Sequence, residues 1–140
     1  VALKAWNYQE EFSPASFQAL QAAGHWQAKY RLLLQWGKAV DAKLWLRQDE
    51  FLVRGCETSL WLQAEQRDGH WFFALDGDSR IVKGLAVLVL GELNGTQCNP
   101  ACMSRLLPAL TDAGVSQHLS PSRNNGLRAL LVRLQALCAE

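Results

Sequence analysis

Apolar positions recur at helical spacing early and late in the chain and alternate singly between them, which predicts helices on either side of a small sheet. Ser13 to Gly24 reads as a first helix, with Ser13 as N-cap, Pro14 at the first helical position and Gly24 as the stop. Trp26, Tyr30, Leu33 and Leu34 mark a second helix that Gly37 ends. Asp41 to Phe51 is ambiguous, a loop or short helix anchored by Leu44, Trp45 and Phe51. Leu60, Leu62 and Ala64 then alternate with Trp61, Gln63 and Glu65, the period of a half-buried strand.

Asp68-Gly69 signals a tight hairpin, and His70 to Leu75 fits its returning strand. After the turn Asp76-Gly77-Asp78, Ser79 to Val82 is expected to add a third short strand. Lys83 to Leu93 is apolar almost all round, so it should be a helix buried across the sheet and ended by Asn94-Gly95. Helices from Ala101 to Ala113 and from Ser122 to Ala139 complete the chain. The last carries a stripe of Leu127, Leu130, Leu131, Leu134 and Leu137 opposite Arg128 and Gln135. The expected fold class is α+β, a three-stranded antiparallel sheet flanked by helices.

Length and charge narrow the function. At 140 residues, with no repeat or linker, the chain is expected to form one domain spanning 1–140. A formal charge of +1 advertises neither nucleic acid nor an anionic membrane. The longest apolar run, Leu85 to Leu90, is too short to span a bilayer. Val1 to Asn7 lacks the basic start and apolar run of a secretory signal, so the expected location is cytoplasmic. In that setting the four cysteines read as thiols rather than disulfides. Six tryptophans are many for this length; several are expected to fill core, and surplus tryptophan also suits a partner-binding surface.

Cys102, one turn before Leu106, and Cys138, beside Leu134 and Leu137, read as small hydrophobes. Cys98 and Cys102 have a metal-like spacing, but a structural zinc needs a second close pair, so no metal is expected and both are left structural. Cys56 differs in kind. Gly55 before it permits an unusual backbone turn, and Arg54 supplies the positive charge that a working thiolate uses. The bland alternative, a buried cysteine beside a solvated arginine, stays open. Arg123 stands in the first turn of the last helix, where the macrodipole gives a cation nothing. It either finds a partner elsewhere in the fold or is a solvent-screened surface group.

Four separated motifs carry a resemblance over Trp26 to Leu137: Trp26…Lys29-Tyr30…Gly37-Lys38; Gly55-Cys56-Glu57…Trp61-Leu62; Asp76-Gly77-Asp78-Ser79-Arg80-Ile81-Val82-Lys83-Gly84-Leu85; and Leu119-Ser120-Pro121-Ser122-Arg123-Asn124-Asn125-Gly126-Leu127. In this order they resemble the SufE/CsdE family of sulfur acceptors, with Lys29-Tyr30-Arg31, Cys56-Glu57 and Arg80-Ile81-Val82 leaning toward the CsdE branch. Ala39-Val40 depart from the Leu-Pro of many relatives.

The resemblance implies a SufE/IscU-like fold and a persulfide-carrying thiol at Cys56. It also implies a mobile loop that tucks that thiol into a shallow apolar cavity, and an arginine, Arg123, in the same region. Catalytic roles are thus expected at Cys56, Arg123 and Arg54, and partner contacts at Gly55, Glu57, Trp61, Asp76 and Asp78, with Trp45 as a further place to look. The implied partners are a cysteine desulfurase of SufS/CsdA type and a downstream sulfur recipient. The chain would have no cofactor of its own, pyridoxal phosphate belonging to the desulfurase, and no independent turnover. A monomer or weak homodimer is expected. An IscU-like iron–sulfur scaffold and a plain interaction module remain as alternatives.

Overall fold

The computed structural model describes residues 4–97 and 99–139, the last without its side chain. A 3-10 helix, Ala5–Phe12, leads into α1 (Phe17–Ala22) and α2 (Trp26–Lys38). Two short 3-10 turns, Leu44–Leu46 and Asp49–Phe51, resolve the ambiguous stretch. The hairpin β1 (Leu60–Arg67) and β2 (His70–Gly77) follows, then α3 (Arg80–Leu93), α4 (Pro100–Ser104), α5 (Leu106–Asp112) and α6 (Pro121–Ala139).

The hairpin closes as its sequence dictates. Arg67 pairs with His70, and both turn residues are left-handed, Asp68 at φ 53° and Gly69 at φ 79°. That is the backbone a two-residue turn needs to match strand twist.

The sheet among the described residues has two strands, not the expected three. Ser79 to Val82 starts a helix instead. The Ser79 hydroxyl accepts the Val82 N–H at 3.3 Å, a cap that opens α3 and outweighs the β-branched pair Ile81-Val82. Among the same residues, the sheet is extended only by an isolated bridge, Leu52 to Trp61, on the outer edge of β1. The first helix also starts later than expected, because Ser16 rather than Ser13 caps it through the Ala19 N–H. The expected helix from Ala101 to Ala113 is two pieces meeting at Arg105.

α3 is the centre of the fold. Val87, Leu88, Val89 and Leu90 have no exposed surface, and Leu62, Phe73 and Leu75 bring one face of the hairpin into the same core. A smaller cluster of Ala5, Leu46, Phe72 and Ala74 fills the other face under the N-terminal segment. Against α3 runs α2, and their backbones touch. A side chain at Gly37 would land on the Arg80 carbonyl, and one at Gly84 on the Leu33 carbonyl. Glycine at both positions is what lets the helices cross this closely.

Candidate functional site

The loop that carries Cys56 is pinned at its base and loose at its tip. The Leu52–Trp61 bridge and the bond from Val53 N–H to Leu60 O at 2.8 Å clamp its ends, and the Asp78 N–H reaches Ser59 O at 3.0 Å. Between these ties, among the described residues, no hydrogen bond is made by residues 54 to 58. Gly55 sits at φ +90°, a conformation that a side chain would strain by about 1–2 kcal/mol. Few ties and a glycine turn are the physical content of a segment that opens at low cost.

Cys56 is half-buried and packs against the main core. Its Sγ lies over Gly126 of α6, with Val82 of α3 beside the same spot. Gly55 faces Ala129, and Arg133 Nη1 donates to Leu52 O at 3.5 Å. Residues 52 to 56 therefore run along one face of α6 in the reverse direction, from Arg133 through Ala129 to Gly126. Sγ has no hydrogen-bond partner among the described residues, so neither Arg54 nor Arg123 holds the thiol directly in this seating.

Arg54 and Glu57 are exposed, as is Gly55, and neither charged group has an ion-pair partner among the described residues. Arg123 does have a partner, and it is aromatic: its guanidinium lies over the Tyr30 ring at 5.5 Å. Pro121 opens α6, and Ser120 Oγ accepts the Arg123 N–H at 3.3 Å. Arg123 thus stands one turn before Gly126, on the helix that seats the thiol.

The expected docking residues Asp76 and Asp78 belong to an ionic chain that the sequence did not reveal. Asp76 is 1% exposed, so its carboxylate is turned inward rather than offered to a partner. It accepts Arg47 Nε at 2.9 Å, the Lys43 N–H at 2.8 Å and its neighbour Gly77's N–H at 2.8 Å. Arg47 also reaches the exposed Asp78 at 3.0 Å and stacks on Trp61, whose ring is half-buried beneath it. Lys43 is itself buried, its ammonium spending three donors on Glu11, Asp41 O and Leu75 O. This chain fastens the 41–47 segment to the end of β2, next to the base of the cysteine loop. Its signal was hidden because the partners lie far apart in sequence, Lys43 from Glu11 by 32 positions and Arg47 from Asp76 by 29.

Burial pushes the Asp76 carboxyl upward, but the hydrogen bonds from Arg47, Lys43 and Gly77 outweigh it and hold the group below its ordinary value of 3.8. A carboxyl lowered on folding adds stability above its unfolded pKa, and that stability is lost as pH falls through the folded value. Asp76→Asn is expected to cost about 2 kcal/mol at neutral pH, since it removes a charge that three donors face. The gap from wild type should narrow below about pH 4, where the native carboxyl also protonates. Thermal melts of both proteins across pH 2 to 8, on the order of one-unit steps, check this; a gap independent of pH contradicts it.

Among the described residues no three His, Cys, Asp or Glu side chains gather as a metal would need. Cys102 and Cys138 are half-buried free thiols on α4 and α6, and Cys98 lies outside the described residues.

Residues 15–138 match the family model described as "SufE: Fe-S metabolism associated domain". The chain belongs to the SufE family. It is 29% identical over 126 residues to an uncharacterized SufE-like protein of Haemophilus influenzae, covering 86% of this chain and 98% of that one. The solution structure of a hypothetical protein from Thermus thermophilus shares the fold, with a TM-score of 0.68 and 21% identity over 92% of this chain and 93% of that one. The family membership ties the chain to Fe–S metabolism, and the helix–hairpin–helix arrangement is its fold. Among the described residues no helix is long and apolar enough to cross a membrane.

Proposed function

We propose that this SufE-family protein accepts sulfane sulfur from a pyridoxal-phosphate cysteine desulfurase onto Cys56, speeds that enzyme's turnover, and hands the sulfur on to a recipient in Fe–S metabolism. It acts as a carrier without a cofactor or independent turnover of its own, in a reducing, cytoplasmic compartment. The observation that carries the reading is the pairing of a half-buried thiol with a loop that makes no hydrogen bond from residue 54 to 58 among the described residues.

Sulfur transfer follows the logic of thiol–disulfide exchange. The Cys56 thiolate attacks the outer sulfur of the donor persulfide, a new S–S bond forms, and the donor cysteine leaves as thiolate. Such an acceptor must reach a donor buried in another protein, then shelter what it carries. A loop pinned at both ends and free between them does the first, and the face of α6 does the second. Arg54 and Arg123, exposed and ring-stacked respectively, stand at the loop and on its seat; they are proposed to stabilise anionic sulfur when the loop is extended. Glu57 in the loop, and Trp61 and Asp78 at its base, are proposed as partner contacts.

The direct test is mass spectrometry after incubation with cysteine and the desulfurase. A gain of about 32 Da, one sulfur, is expected on the Cys56 peptide and on no other. Sulfur on Cys102 or Cys138 instead, or on none, contradicts the proposal.

A further inference from the structure

We infer that Gly126 is a positioning residue: the side chain it lacks is the seat of the Cys56 thiol, and its size sets how often that thiol is presented. The inference rests on the reading of Cys56 as the sulfur carrier and adds to it the element that holds the thiol between transfers.

Three contacts line up along α6. A methyl group at position 126 would stand 3.0 Å from Cys56 Sγ and 3.6 Å from Val82 Cγ1. Ordinary contact between carbon atoms is about 3.5–4.0 Å, and sulfur is larger than carbon, so the sulfur must give way for the methyl to fit. One turn further on, Ala129 Cβ lies 3.6 Å from where a side chain of Gly55 would begin, which leaves the loop backbone just enough room. A further turn on, Arg133 reaches the Leu52 carbonyl. The loop thus lies against two small residues of α6, Gly126 and Ala129, with the sulfur over the glycine.

Glycine inside a helix weakens it relative to alanine, so position 126 gives up helix stability for the space the sulfur takes. The group that would collide is the tip of a side chain in the 54–58 stretch, which makes no hydrogen bond among the described residues, and not a fixed backbone atom. The collision is therefore relieved by lifting or rotating Cys56 outward, and the population shifts from sheltered to presented. A bulkier floor should leave the fold intact while exposing the thiol.

The test is the rate at which iodoacetamide alkylates each cysteine, followed peptide by peptide, in wild type and Gly126→Ala. Cys56 is expected to react at least about fivefold faster in the variant, a shift of the loop equilibrium by that factor. Cys102 and Cys138 should keep their wild-type rates, and the melting temperature should hold or rise. An unchanged Cys56 rate overturns the inference, as does an equal acceleration of Cys56, Cys102 and Cys138, which would mean general loosening. Should Gly126→Ala fail to fold, Ala129→Leu raises the same floor one turn away: faster Cys56 alkylation supports the inference and a wild-type rate overturns it. Persulfide loading by the desulfurase is scored separately on the same proteins. Faster alkylation without sulfur loading in wild type leaves the seat standing and removes the carrier role; loading with an unchanged alkylation rate does the reverse.

Discussion

Cys56→Ser should leave the cysteine desulfurase turning over at the rate it shows alone, whereas the wild-type chain accelerates it. Persulfide on the accessory protein should fall by about a hundredfold or more, because a serine hydroxyl is a poor nucleophile without an adjacent base and cannot hold sulfane sulfur. Among the described residues no base is hydrogen-bonded to the Cys56 side chain. The fold should hardly notice. Sγ is half-buried and makes no hydrogen bond among the described residues, so the change in stability should stay within about 1 kcal/mol. A melting curve beside the activity assay separates the two effects. Stimulation that survives the substitution would mean that the chain activates its partner by docking alone, and that the sulfur travels by another route.

What can be read from the residues, and what cannot, divides along the range of the interactions. The hairpin is legible because its cause is local: alternation from Leu60 to Glu65 and an Asp68-Gly69 pair that takes left-handed backbone. The buried helix before Asn94-Gly95 is legible because almost every position in it is apolar. The expected third strand fails for an equally local reason. Ile81-Val82 favour a strand, yet a hydroxyl cap at Ser79 sets the backbone before those side chains have a say.

The site shows the same division. Cys56 stands out because a glycine precedes it, and the family motifs sharpen that reading. Its seat at Gly126 does not stand out as a seat, since glycine near the start of a helix gives no sign of which distant atom needs the space. Lys43, Arg47 and Glu11 carry no signal in the sequence, being ordinary charged residues until the fold gathers them around Asp76. The tryptophan surplus has mixed causes. Trp36 is core, while Trp45 and Trp61 are half-buried under cations, Lys4 and Arg47, next to the ionic chain.

Gly84→Ala should be the most damaging small change in the chain, costing about 3 kcal/mol and lowering the melting temperature by roughly 10 °C. The added methyl would land on the Leu33 carbonyl of α2, and the reciprocal position, Gly37, faces the Arg80 carbonyl of α3. Neither obstacle is a side-chain tip that can swing away; each is helix backbone held in its own hydrogen bonds. Relief therefore requires α2 and α3 to separate along their crossing, which opens space around Leu33, Leu85 and Leu88, all essentially without exposed surface. The gain in helix propensity from alanine, up to ~1 kcal/mol, offsets only a part. Since α3 also positions Val82 beside the Cys56 seat, the loop should lose its shelter with the crossing, and alkylation of all three described thiols should quicken together. That pattern contrasts with the selective effect expected at Gly126, so the same glycine-to-alanine change on two helices carries opposite signs for stability. Urea unfolding of the two variants side by side makes the comparison. A Gly84→Ala protein as stable as wild type would mean that the helices do not meet backbone to backbone.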